Sequence, residues 1–308
     1  MPFHIVKDSI ITMTSDVMVN STSREGNAFG GAEKALFDAG GPSLIEARKN
    51  LGAIQTGEVL VTKAFDLKAS YVFHTVVPKT KNQNLYTFNI LRDIYYKALR
   101  LAVELDQSSI AFPLIGSGYA SIPKAKAYKI AIESIKSFLK DHELDVYLVL
   151  YDKNEIEIDR RLKENLSRYI HQETRVHVHL TQALYKETRS LEDLIKEKDQ
   201  TFSETLLRLI DERQEEDVTI YKRANLSRKH FSKIRSNKDY QPSKNTAMAL
   251  GIALRLNLDE FNDLLEKAGY TLSSSYVMDM IVQYFIEKEI YDLYEINATL
   301  FEFIQKTL

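Results

Sequence analysis

The sequence predicts a three-layer α/β domain followed by an all-α domain, for three reasons. Residues 1 to about 155 alternate short apolar stretches with longer ones of 3.6-residue periodicity, as strands covered on both faces by helices do. Two of the apolar stretches lead into loops of small residues, Phe29-Gly30-Gly31-Ala32 and Ile115-Gly116-Ser117-Gly118. From 201 to 308 the pattern is helical almost throughout, and 308 residues suffice for two domains.

In chain order, strands are expected over 3–6, 17–20, 58–62, 71–77, 109–114 and 146–151, each short, β-branched or aromatic. Helices are expected near 31–50, 85–106 and 123–140. In the second of these, Leu85, Phe88, Leu91, Ile94, Tyr95, Ala98, Leu99 and Ala102 share one stripe. Pro123 suits the first turn of the third. Both small-residue loops then lie at strand carboxyl ends, where open α/β sheets bind ligands. Such loops let backbone N–H groups approach a phosphate, with a helix N-terminus behind them. Two in one domain point to two phosphates, or one pyrophosphate held from both sides. Between 156 and 200 charge density rises while Gly and Pro vanish. The expected division is a first domain over 1–170, a helical connector over 171–200 and an all-α domain over 201–308. His177-Val178-His179 alternates like one face of a short strand, and no metal or cofactor is expected.

Composition excludes several classes. Apolar residues at 44% and charged residues at 27% describe a packed chain rather than a disordered one. A net charge of −2 means that any nucleic-acid site must be a local patch. The absence of Cys removes disulfides, thiolate metal sites and a Cys nucleophile, and fits a cytoplasmic setting. Met1-Pro2-Phe3-His4-Ile5-Val6 lacks the basic end and long apolar run of a signal peptide. No apolar run approaches the roughly 18 residues of a membrane span.

Across its first half the chain resembles a macrodomain, the fold that recognises ADP-ribose. The resemblance rests on the order and spacing of several segments. These are Asp16-Val17-Met18-Val19-Asn20, Gly30-Gly31-Ala32-Glu33-Lys34-Ala35-Leu36, Ala39-Gly40-Gly41-Pro42, Thr56-Gly57-Glu58, Tyr71-Val72-Phe73-His74-Thr75-Val76-Val77-Pro78 and Phe112-Pro113-Leu114-Ile115-Gly116-Ser117-Gly118. It implies a mixed sheet and a role for each matching position. Asn20 would meet the distal ribose, since an amide both donates to and accepts from hydroxyls. Gly30, Gly31 and Ala32 would form the first phosphate loop, and Ile115, Gly116, Ser117, Gly118, Tyr119 and Ala120 the second. Ser9 and Ile10 would flank the adenine, and Tyr151 would stack on it or simply close the edge of the core. Glu33 stands where hydrolytic relatives often have Asp. Its carboxylate could orient or deprotonate a water, or stabilise oxocarbenium-like charge; it also suits the first turn of a helix for dipole reasons alone. Departures surround both ends of the expected ligand. The usual adenine-contacting Asp is Ser9, with Asp8 one residue early. The usual Asn-Ala-Ala-Asn is Asn20-Ser21-Thr22-Ser23, four glycines become Ala28-Phe29-Gly30-Gly31, and the second loop ends Gly118-Tyr119-Ala120-Ser121.

Over about 70 residues the second half resembles a Cro/C1-type helix-turn-helix fold. Val218-Thr219-Ile220-Tyr221-Lys222-Arg223-Ala224-Asn225 leads into Ser227-Arg228-Lys229-His230-Phe231-Ser232-Lys233-Ile234-Arg235, with Asn225 in place of the usual turn Gly. Asn257 reads as a helix cap and Gly269 as a helix stop. Between Val218 and Asn245 eight Lys or Arg face one acid, Asp239. Arg228, Lys229, Lys233 and Arg235 could follow phosphates and reach base edges; a basic surface docking a protein is the alternative. Asp211, Glu212, Glu215, Glu216 and Asp217 just upstream would blunt the field. The expectation is a macrodomain that binds ADP-ribose, an ADP-ribosylated target or a related diphosphate nucleotide, coupled to a domain for a nucleic-acid or protein partner. The alternatives are an ADP-ribosyl hydrolase using Glu33 and Asn20, and a nucleotide-responsive DNA-binding regulator.

Overall fold

A computed structural model describes residues 2–27, 31–78, 85–118, 120–151, 158–180 and 200–308. The chain divides into two compact units, residues 1–157 and 158–308. Among the described residues the first holds six strands: β1 (Phe3–Lys7), β2 (Val17–Ser21), β3 (Val59–Lys63), β4 (Tyr71–Thr75), β5 (Ser109–Pro113) and β6 (Asp145–Leu150). They form one sheet in the order β1-β6-β5-β2-β4-β3. Every neighbouring pair is parallel except β3 with β4, so the sheet is mixed.

Among the described residues three α-helices cover the sheet: α1 (Gly31–Asn50), α2 (Leu85–Glu104) and α3 (Lys124–Leu139). Period-2 alternation assigns each strand residue to one face. Ala111 of β5 joins Met18, Val72, Leu36, Phe37 and Leu44 in the core beneath α1. Its neighbour Phe112 points the other way and meets Tyr95 of α2, with ring centroids 5.1 Å apart. Helix α1 kinks at Gly41, followed by Pro42, so its two ends need not share one axis.

The second unit is all helical among its described residues. It comprises α4 (Arg160–Leu180), α5 (Phe202–Glu212), α6 (Asp217–Arg223), α7 (Arg228–Ser236), α8 (Lys244–Ala253), α9 (Leu258–Lys267), α10 (Val277–Glu287) and α11 (Leu293–Ile304). Its core gathers Leu166 of α4, Phe202, Leu206, Ile220, Phe231, Ile252, Phe261, Phe285 and Leu300. Capping boxes start α5 at Thr201–Glu204 and α9 at Asn257–Glu260.

Three sequence expectations change here. The first unit closes at 157 rather than 170, because α4 buries Leu166 in the helical core. His177-Val178-His179, expected as a strand face, lies within α4. Of the expected connector, 171–180 continues α4 and 181–199 lies outside the described residues.

Candidate functional site

The carboxyl ends of β6, β5 and β2, three neighbours in the sheet, share one cavity of about 730 Å³. That volume falls in the ordinary range for small-molecule sites. Its wall has three parts. Asp8, Ser9, Ile10, Val149 and Tyr151 line one end, Pro113, Leu114, Gly116, Ser117, Gly118 and Ala120 the middle, and Ser21, Thr22, Ser23 and Glu33 the other end, with Gly31 and Ala32 alongside.

The middle is a loop closed on its own backbone. Ile122 N–H donates to Gly116 O at 3.0 Å and Ser121 N–H to Gly118 O at 2.9 Å. Gly116 has φ +87°, and a Cβ there would come within 2.8 Å of Ile122 Cδ1, so the turn admits only glycine without strain. The Tyr95 hydroxyl accepts the Ile115 N–H at 3.2 Å from beneath. Burial pushes that phenol well above its ordinary pKa, so it stays protonated. A Cβ on Gly118 would meet nothing within 4 Å, which leaves open space for a ligand to approach the backbone.

At the β2 end the wall is a strap held by side chains. Glu33, only 7% exposed, sits in the first turn of α1. Its Oε1 accepts a short hydrogen bond from the Thr22 hydroxyl and another from Ser23 N–H at 3.2 Å. The Ser23 hydroxyl donates to Asn27 O at 2.9 Å. At the opposite end Asp8 Oδ1 accepts the Thr12 hydroxyl and the Ser9 N–H at 2.5 and 2.7 Å. Those two bonds hold its carboxyl below the usual carboxylate range. Tyr151 is 79% exposed at the rim.

Of the residues expected from sequence, Ser9, Ile10, Gly31, Ala32, Glu33, Gly116, Ser117, Gly118, Ala120 and Tyr151 all lie on this one wall. Gly30 and Tyr119 lie outside the described residues. Asn20 and Ile115 stand off this wall. Asn20 is 2% exposed and faces the sheet core, where its Nδ2 meets His74 Nδ1 at 3.2 Å. Strand alternation puts Asn20 on the face of Met18, beneath α1, so the wall passes to Ser21 and the residues after it. Ile115 is buried, and its N–H is taken by Tyr95. The amide of Asn20 also fixes the His74 tautomer. It donates to Nδ1, so Nε2 carries the proton and donates to Thr62 Oγ1 at 2.9 Å. Burial, reinforced by the positive Arg48 nearby, drops the His74 pKa to about 3. Sequence reasoning missed Thr22 and Ser23 as wall residues, although their place just after β2 was a usable signal. Among the described residues no cluster suited to a metal occurs.

The helical unit carries a second candidate surface. Helix α7 buries Phe231 and Ile234 and exposes Arg228, Lys229, Ser232 and Lys233. Asn225 adopts φ +56° in the turn from α6. Acids neutralise part of the basic cluster: Asp217 pairs with Arg235, Glu215 with Arg223 at 2.6 Å, Glu204 with Lys238 at 2.9 Å and Asp279 with Lys244 at 2.5 Å. Arg228, Lys229 and Lys233 form no ion pair among the described residues.

The family model described as Macro domain matches residues 19–131. An O-acetyl-ADP-ribose deacetylase of Escherichia coli (strain K12) is 34% identical over 165 residues, covering 52% of this chain and 93% of the relative. A macro domain-containing protein of Methanosarcina mazei is 33% identical over 168 residues, covering 54% and 88%. Among solved structures, an Oceanobacillus iheyensis macrodomain with ADP is 31% identical, covering 49% of this chain and 84% of that one, at a TM-score of 0.47.

Proposed function

This chain belongs, through its N-terminal unit, to the macrodomain family, and from that premise we propose that it binds ADP-ribose, an ADP-ribosylated target or a related diphosphate nucleotide. The observation that carries the proposal is the layout of this cavity. An exposed aromatic stands at one end, a glycine loop in the middle and a polar strap at the other, which suits a ligand with a base, phosphates and a second ribose in that order. Calorimetric titration of ADP-ribose, with AMP and Gly118→Glu as controls, tests it. The Gly118 Cβ position is open, so the glutamate should leave the fold intact and place a carboxylate where phosphate would sit. Micromolar binding lost in the variant supports the proposal; no binding at millimolar ligand defeats it.

A second reading is hydrolysis or deacylation at the same site. It is favoured by the buried Glu33 carboxylate on the cavity wall and by relatives named O-acetyl-ADP-ribose deacetylase. A carboxylate there can orient an attacking water. Turnover that vanishes in Glu33→Ala while ADP-ribose still binds would support it, and absence of turnover in the parent chain would end it.

For the helical unit we propose a helix-turn-helix-like surface on α7 that engages nucleic acid, with a protein as the competing partner. Arg228, Lys229 and Lys233, exposed and in no ion pair among the described residues, support the former. Binding to duplex DNA should weaken steeply with salt and in Arg228→Ala and Lys233→Ala. No binding at low salt would leave the protein partner standing.

A further inference from the structure

The two ends of α1 grip the same piece of backbone. Glu33, in its first turn, accepts the Ser23 N–H and the Thr22 hydroxyl. Arg48, in its last turn, is fully buried. Its Nη2 donates to the carbonyls of Ser23 and Arg24, both at 2.9 Å, and its Nη1 to that of Gly52 at 2.8 Å. Residue 23 is therefore held at its N–H by a carboxylate and at its carbonyl by a guanidinium. The chain wraps this guanidinium closely. A Cβ on Gly26, where φ is +76°, would lie 3.1 Å from both Arg48 Cγ and Cζ. Arg48 is absent from the cavity wall, whereas Thr22 and Ser23 form part of it.

We propose that Arg48 is a positioning residue for the ligand cavity. It sets the strap at the β2 end and so the affinity for the second ribose of ADP-ribose, without touching the ligand. This rests on the ADP-ribose reading of the same cavity. A planar fork reaching several carbonyls is a task that lysine, with a single ammonium, performs poorly. Burial lowers the Arg48 pKa, and the negative charges of Glu33 and Glu25 pull it back up.

The test compares ADP-ribose with ADP, which lacks the second ribose, by calorimetry on the full chain. Variants are Arg48→Lys, Arg48→Met, Glu33→Gln and the double variant Arg48→Met/Glu33→Gln. Arg48→Lys and Arg48→Met should lose about ten-fold in ADP-ribose affinity while ADP changes by less than about two-fold. The double variant should lose less than the product of the single Arg48→Met and Glu33→Gln losses. Equal losses for both ligands would reduce Arg48 to a general structural role, and no loss for either would also overturn the proposal. Hydrogen exchange on Arg48→Lys supplies a readout independent of ligand. Amides of 22–27 should exchange faster than in the parent while those of 116–122 do not; uniform acceleration, or none, counts against the proposal. Failure of the parent chain to bind either ligand would sink the ADP-ribose reading itself, an outcome separate from any variant's behaviour.

Discussion

The two loops that face each other across the cavity are built on opposite plans. The loop after β5 holds itself, through backbone bonds between Gly116, Gly118, Ser121 and Ile122, and borrows one hydroxyl from Tyr95. The strap after β2 makes far more use of charge, taking a carboxylate and a guanidinium from the two ends of α1. A self-bonded loop is a local object, set by a few adjacent residues. A strap held by charges is a tertiary object, set by residues far along the chain and sensitive to whatever changes those charges.

Four perturbations would break or sharpen that contrast. The largest effect should come from Arg48→Met. Removing one partner of a buried charge arrangement costs about 3–5 kcal/mol, and urea unfolding followed by circular dichroism would measure it. A change under 1 kcal/mol would mean that the strap does not need the guanidinium. Next, Gly116→Ala forces a left-handed backbone onto a side chain 2.8 Å from Ile122. About 2–3 kcal/mol of strain is expected, and here ADP and ADP-ribose affinities should fall together, because the loop serves the part that both ligands share.

Acidification should come third, and it should act on the strap side. His74 stays neutral in the fold down to about pH 3, whereas the unfolded chain protonates it near 6.5. Its contribution is therefore complete above pH 6.5 and is lost as pH falls from 6.5 toward 3. At pH 5 that amounts to about 2 kcal/mol. Unfolding midpoints at pH 7 and 5 for the parent and for His74→Gln would show it, the variant having the flatter dependence. Parallel dependences would refute the assignment. The smallest effect belongs to Tyr95→Phe, which leaves the Ile115 N–H without its partner for about 1 kcal/mol. It should appear as a modest fall in melting temperature.

The same division explains what could be read from the sequence. The six strands were legible because each is a short apolar run, and their observed ends differ from expectation by only one or two residues. Gly116 and Gly118 were legible because a local turn advertises itself in local composition. Glu33 was legible only by likeness; its hydrogen bonds to Thr22 and Ser23 were not. Arg48 lies in Glu46-Ala47-Arg48-Lys49-Asn50, which reads as an ordinary solvated helix end. It is buried against a loop more than twenty residues upstream, whose carbonyls it bonds. The surroundings of Asn20 were hidden for a related reason. Only the pairing of β2 with β4 reveals that it sits beside His74, 54 residues away. In the helical unit the eight basic residues were countable, but the acids that silence Arg223, Arg235, Lys238 and Lys244 lie outside the counted stretch.

The open space beside Gly118 has a practical use. The chain contains no cysteine, so Gly118→Cys would create a unique thiol facing the cavity. Alkylating it with an environment-sensitive dye would turn the protein into an optical reporter. Slower labelling in the presence of a candidate nucleotide would rank ligands before any of them is known to be the natural one.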